Sequence, residues 1–140
     1  MTQYMNLIGQ NAKKASLKKV DTKVKNKILK RYAFLLDKKR NSIIAENAKD
    51  IKFVLKNRLK NNLIDRLTIN NKKLDNIKDS INKIIKLKDP VDNTLEKWSR
   101  PNGLKIKRVS IPIGVIGVIY ESRPNVTSDV ASLCFNLEML

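Results

Sequence analysis

One cysteine, Cys134, is all the thiol chemistry this 140-residue chain contains. That excludes an internal disulfide and a cysteine-based zinc site, and it suits a reducing compartment. Long apolar runs are missing as well. The longest, residues 111–120, includes Pro112 and two glycines, and it falls well short of the ~20 residues a bilayer span requires. The opening MTQYMNLIGQ lacks the apolar core of a signal peptide. The expectation is a soluble, cytoplasmic protein with no membrane partner. Aromatic residues are only 5% of the chain. None is regularly interleaved with the lysines, as a stacking platform for single-stranded nucleic acid would need. Acidic residues are scarce too: 13 Asp and Glu stand against 30 Lys and Arg, for a net charge of +17 without any histidine.

A basic excess of this size attracts nucleic acid, anionic lipid or anionic substrates through its long-range field. Here the lysines are spread over the whole helical region rather than gathered in a patch. Lysine, asparagine and isoleucine make up 55 of the 140 residues, and these are the amino acids with the codons richest in A and T. A biased genome gives this composition with no partner involved, so the expectation is no nucleic-acid partner. A small basic helical nucleic-acid-binding protein stands as the alternative from another class. A salt titration of DNA binding separates the two, because a binder that neutralises several phosphates shows a steep slope.

The length suits about one domain with a real core. From the start to about Leu87 the apolar periodicity is helical. Val24, Ile28, Tyr32 and Leu35 form one stripe of a helix over residues 22–36. Ile44, Ala48, Ile51 and Leu55 mark a second, with Asn41 or Ser42 as N-cap. Leu74, Ile77, Ile81, Ile84 and Ile85 mark a third over residues 72–86, behind Asn70 or Asn71. Residues 63–70, LIDRLTIN, read as a short helical turn and a connection. Such stripes are core rather than chemistry. Asp89-Pro90 then ends the helical region, since proline disfavours helix at the residue before it and cannot donate to a helix ladder.

Beyond that point the texture changes. Residues 95–99 and 104–109 are short and partly alternating, and Pro101-Asn102-Gly103 between them has the chemistry of a hairpin turn. Residues 115–120 are a continuous β-branched run, the mark of a strand buried on both faces of a parallel sheet. Thr127 or Ser128 can cap a following helix with apolar residues Val130, Ala131, Leu133, Cys134 and Leu137. Such a strand-loop-helix unit needs at least one more parallel strand to close it, and the chain ends first.

Ligands of open parallel sheets bind outside the carboxyl ends of the strands. That position is the loop of residues 121–125, Glu-Ser-Arg-Pro-Asn. Arg123 offers a permanently charged donor fork for phosphate or carboxylate. Asn125 offers an amide NH₂ able to stabilise an oxyanion, and Pro124 restrains the backbone between them. Polar residues around a proline are equally what an ordinary strand-to-helix loop contains. Gly114 and Gly117 lack the third glycine and the loop position of a dinucleotide fingerprint, and read as sites of close backbone packing.

The stretch PIGVIGVIYESRPNVTSDVASLC, residues 112–134, resembles the signature of the γ-glutamyl phosphate reductases, also called glutamate-5-semialdehyde dehydrogenases, of the aldehyde dehydrogenase superfamily. The likeness extends back through Asn102-Gly103-Leu104, Asp89-Pro90-Val91 and residues 63–67 to Asn47, Ala48 and Asp50. It implies an α/β fold: N-terminal helices over residues 1–88, a β-hairpin over 94–110, then over 111–140 the first strand-loop-helix of a truncated Rossmann-like cofactor domain. It implies reduction of γ-glutamyl phosphate to glutamate 5-semialdehyde with NADPH through a cysteine thioester, as a step of proline biosynthesis. Asn125 matches the asparagine that donates to the thioester oxyanion. Ser122, Arg123 and Pro124 match the loop beside the nicotinamide, and Arg123 could meet a phosphate of substrate or cofactor. The resemblance also suggests glutamate 5-kinase as a partner and a homo-oligomer at full length. Another acyl-phosphate or aldehyde reductase of the same superfamily is the nearer alternative.

The family's nucleophilic cysteine lies far downstream, so Cys134 is expected to be a buried small hydrophobe and the 140 residues alone inactive. After Cys134 the family pattern continues as an apolar residue, Lys, Ser or Thr, Gly, Asn and Ala, whereas this chain reads Phe-Asn-Leu-Glu-Met-Leu. Removing one A from the lysine codon of TTT AAA TCT GGA AAT GCT converts the first reading into the second. A one-base deletion that puts residues 136–140 out of frame is therefore the expectation, and resequencing the locus tests it. Without partner strands, residues after about Leu95 are expected to be poorly ordered or self-associating.

Overall fold

The structure, a computed structural model, describes residues 2–57, 61–121 and 123–137. Its elements run α1 (Thr2–Ser16), α2 (Thr22–Lys38), α3 (Arg40–Lys56), α4 (Asn61–Leu67), α5 (Asn71–Lys86), β1 (Thr94–Ser99), β2 (Lys105–Val109) and α6 (Pro124–Asn136). The fold is thus mostly helical with one antiparallel hairpin among the described residues, as the α/β reading of a truncated domain requires. No helix among the described residues is long and apolar enough to cross a membrane.

Helix α5 carries the core. Asn70 caps it by accepting the Lys73 N–H at 2.8 Å, which satisfies one of the donors a helix start leaves open. Its residues Leu74, Ile77, Ile81 and Ile84 are buried against Leu29 and Ala33 of α2. Tyr32, Leu36, Ile43, Ile44, Ile69, Ile85 and Phe135 close around them. The isoleucine stripe of α5 is the one the periodicity indicates.

Helix α2 is rotated from its apolar stripe. Its buried residues are Lys25, Leu29 and Ala33, while Val24 and Ile28 are exposed. The cause is a buried polar anchor. Lys25 has no exposed surface, and its ammonium lies 2.7 Å from Asp89 Oδ2 and 3.3 Å from the Asn136 carbonyl. Thr22 Oγ1 donates to the same carboxylate at 2.8 Å. One lysine therefore ties α2 to the segment after α5 and to the carboxyl end of α6. Burial works upward on the Asp89 carboxyl, but hydrogen bonds from Lys25, Thr22 and the Val91 N–H outweigh it and hold the group below the usual carboxylate range.

Helix α3 departs from expectation in the same way. Asn47 and Val54 are its buried residues, with Ala48 and Leu55 exposed. Asn41 and Ser42 lie inside α3 instead of capping it, because α2 runs on to Lys38 and only Lys39 separates the two helices. Asn47 serves the backbone of the α4–α5 connection. Its Nδ2 donates to the Leu67 carbonyl at 3.0 Å and its Oδ1 accepts the Ile69 N–H at 2.6 Å. Both groups would otherwise be left half-buried without this partner.

The hairpin pairs Thr94 with Val109 and Ser99 with Lys105, with an irregularity between Thr94 and Glu96. Gly103, at φ +83°, supplies the left-handed residue of its turn, and Arg100 and Leu104 close the turn by a 2.9 Å backbone bond. Residues 115–120 form no strand. A parallel strand gets its ladder from neighbours, and the described residues offer none, so the β-branched run stays unpaired with Ile119 fully exposed.

Candidate active site

Helix α6 begins at Pro124, one turn before the caps expected at Thr127 or Ser128. Proline suits the first helical position because its missing N–H would have no partner there. Arg123 occupies the N-cap position without a side-chain cap bond, and Thr127 instead shares a 2.8 Å hydrogen bond with the Tyr120 hydroxyl. That bond ties the end of the unpaired segment to the first turns of the helix.

The faces of α6 are the reverse of a simple amphipathic reading. Its buried residues are Ser128, Ser132 and Asn136, spaced four apart, where the helix packs on α5 and α2. The apolar side of α6, with Val130, Ala131 and Cys134, lines a cavity of about 610 Å³ with Ile28 and Tyr32 of α2 and Ile116, Val118 and Tyr120. Leu133 is exposed. Small side chains let the helices approach closely, and the apolar ones face the unpaired segment of residues 116–120. Cys134 is thus a half-buried free thiol on an apolar wall rather than a core residue.

The loop residues singled out from the sequence gather at the amino end of α6, apart from Ser122, which lies outside the described residues. Arg123 and Asn125 are exposed, and Pro124 is half-buried beside Asn47 and Ile69. Asn125 opens onto a pocket of about 260 Å³ between α5 and α6, lined also by Lys73, Asn76, Ile77, Ser80 and Asp129. Asp129, one turn after Asn125, accepts its Nδ2 at 3.4 Å through Oδ2, while Oδ1 is buried without a hydrogen-bond partner. Lys73 crosses below, its ammonium donating to the Asp65 and Thr68 carbonyls at 2.7 and 2.6 Å. Asp129 and the α5 side of this pocket escape a reading of the sequence, since an acid on a helix ordinarily marks a solvated face. The i, i+4 spacing from Asn125 is the signal that brings it to the site.

No protein-family model matches the chain. The γ-glutamyl phosphate reductase of Nautilia profundicola is 51% identical over 112 residues, 80% of this chain and 27% of that protein. The enzyme of the same name from Rhizobium johnstonii is 46% identical over 132 residues, 93% of this chain and 31% of its own length. The crystal structure of γ-glutamyl phosphate reductase from Thermotoga maritima superposes with a TM-score of 0.85 at 38% identity, over 93% of this chain and 32% of that one. The chain belongs to the γ-glutamyl phosphate reductase family. The Saccharomyces cerevisiae γ-glutamyl phosphate reductase agrees in fold at a TM-score of 0.88 and 27% identity, covering 95% of this chain and 34% of that one. Measured against the relatives it matches, the chain spans 27 to 31% of their length. The family resemblance carried by residues 112–134 thus holds for most of the chain.

Proposed function

We propose that this chain carries part of the cofactor-binding domain of a cytoplasmic reductase that converts γ-glutamyl phosphate to glutamate 5-semialdehyde and phosphate with NADPH, in proline biosynthesis. The observation that carries the reading is the 51% identity to a γ-glutamyl phosphate reductase, together with an exposed Asn125 on the pocket between α5 and α6. In this reaction a thiolate attacks the acyl phosphate and expels phosphate. Hydride then adds to the thioester carbon, and the thiolate leaves as the aldehyde forms. The nicotinamide cofactor, when bound, supplies that hydride.

Asn125 is the catalytic residue in this proposal. Its amide N–H donates to the oxygen that gathers negative charge as the thioester is made and reduced, a preset donor of the kind that stabilises oxyanions. Arg123 and Pro124, with Ser122 before them, form the loop beside the nicotinamide. The exposed guanidinium of Arg123 and the uncapped amino end of α6 suit an anionic group, since helix starts present free N–H donors and partial positive charge. Cys134 is not proposed as the nucleophile, because it lies on the apolar wall between α6 and residues 116–120, not in the pocket onto which Asn125 opens. The nucleophile belongs to the part of the enzyme beyond these residues, as do the surfaces for a homo-oligomer and for glutamate 5-kinase.

The test is a chimera. The matching residues of the Thermotoga maritima reductase are replaced by residues 2–135 of this chain, and NADPH oxidation is followed with γ-glutamyl phosphate generated in place. The chimera is expected to turn over, and Asn125→Ala to lower kcat about a hundredfold or more. Turnover unaffected by Asn125→Ala, or a folded chimera without turnover, overturns the proposal.

A further inference from the structure

We propose that Asp129 reads the α-ammonium group of the glutamyl substrate, which makes the pocket between α5 and α6 the site that selects an amino acid over a plain dicarboxylate. The inference rests on the reading of Asn125 as the oxyanion donor and extends it to specificity.

Three observations converge on it. First, Asn125 and Asp129 stand four residues apart on α6 and line one pocket, their backbones separated along the helix by about 6 Å and their side-chain groups 3.4 Å apart. The reach from a γ-acyl carbon to an α-nitrogen, across four single bonds, is about 5 Å. A substrate with its reacting carbonyl at Asn125 therefore brings its ammonium to Asp129. Second, Asp129 is an uncommitted acid in a chain with 30 cationic side chains. Its one partner among the described residues is the Asn125 amide at 3.4 Å, and its Oδ1 has none. A carboxylate oxygen accepts about two hydrogen bonds, so Oδ2, with one long contact to Asn125, keeps room for an N–H donor, while Oδ1 is enclosed. Third, the opposite wall has the complementary chemistry. Asn76 and Ser80 line it with an amide and a hydroxyl able to meet the α-carboxylate of the same molecule, and Lys73, its ammonium held by the Asp65 and Thr68 carbonyls, adds a positive charge nearby.

The pocket volume of about 260 Å³ admits a substrate of glutamate size, and a charged donor meeting a partly desolvated carboxylate gives a strong, directional contact. Glutarate matches glutamate in chain length and terminal carboxylates but lacks the ammonium, so it isolates the interaction.

The experiment titrates the 140-residue chain with L-glutamate and, separately, with glutarate, following the backbone and side-chain amide resonances of Asn125, Asp129 and Ser80 by NMR. The same titrations in the Ile119→Lys chain keep self-association from hiding the shifts. L-Glutamate is expected to move these resonances at concentrations where glutarate does not. Asp129→Asn is expected to weaken L-glutamate at least about tenfold while leaving the spectrum of the helical core in place, and Asp129→Glu to restore part of the loss. Equal response to both ligands, no response to L-glutamate, or an Asp129→Asn chain that titrates like the parent overturns the inference. Failure of the chimera with glutamate-selective binding intact would remove the reductase reading and leave the amino-acid site. Chimera turnover without selectivity would do the reverse.

Discussion

The ammonium of Lys25 lies 2.7 Å from Asp89 Oδ2, the lysine fully enclosed and the aspartate largely so. Removing one partner of such a pair strands the other charge in poorly solvated surroundings. Lys25→Met is expected to destabilise the chain by on the order of 3 kcal/mol. The double variant Lys25→Met with Asp89→Leu is expected to cost less than the sum of the two single changes. Urea unfolding followed by circular dichroism measures all four chains; additive single effects would refute the coupling.

Acid should expose the same pair. The Asp89 carboxyl titrates below its unfolded value of about 3.9. Its contribution to stability is therefore complete above that value and is lost as the pH falls through the folded-state value. The urea midpoint is expected to hold from neutrality to about pH 5 and to drop in more acidic solution, with the drop reduced in Asp89→Asn. An equal acid dependence in both chains would count against it.

Asn47→Ala removes no apolar contact of note but leaves the Leu67 carbonyl and the Ile69 N–H without their partner. A cost on the order of 3 kcal/mol is expected, much larger than for Ala48→Gly one residue away on the exposed side. Parallel denaturation curves check this, and a near-neutral Asn47→Ala would show that the connection finds other partners.

Arg40 bridges Asp37 and Asp75 at 2.6 and 2.5 Å, and Lys78 joins it on Asp37. Hydrogen bonds from Arg40 and then Lys78 hold the Asp37 carboxyl below its usual range. These groups are solvent-accessible, so salt screens them. Arg40→Ala is expected to lower the thermal midpoint modestly in dilute buffer, and the difference to shrink in molar salt.

The core helix α5 is legible in the sequence because all its buried residues are apolar and lie on one side. The buried faces of α2 and α3 are not, since each centres on a polar residue, Lys25 or Asn47, whose partner lies 64 or about 20 residues along the chain. Hydrophobic patterning has no view of a partner that distant. Residues 115–120 have the composition of a strand, but a strand is a relation between segments, and composition cannot supply the missing neighbour. At the site, Arg123, Pro124 and Asn125 stand out through loop chemistry and resemblance. Asp129 is hidden until the packing of α5 on α6 encloses it.

That unpaired run leaves Ile116, Val118 and Ile119 exposed beside Ile111 and Ile113, an edge other chains can join. The net charge opposes association at long range but is screened within about 10 Å in 0.1 M salt. Self-association that grows with ionic strength is expected in sedimentation velocity, and Ile119→Lys should suppress it. A parent chain that stays monomeric in high salt would refute this.

Helix α6 has 13 residues, a rod about 20 Å long. Lys25 grips one end of it and Asn125 stands at the other. A packed helix moves nearly as a rigid rod, so the aim of one amide in the pocket is expected to depend on an ion pair at the far end. Changes at Lys25 or Asp89 too mild to unfold the chain would then act as misalignments at Asn125, seen in ligand geometry before they are seen in stability.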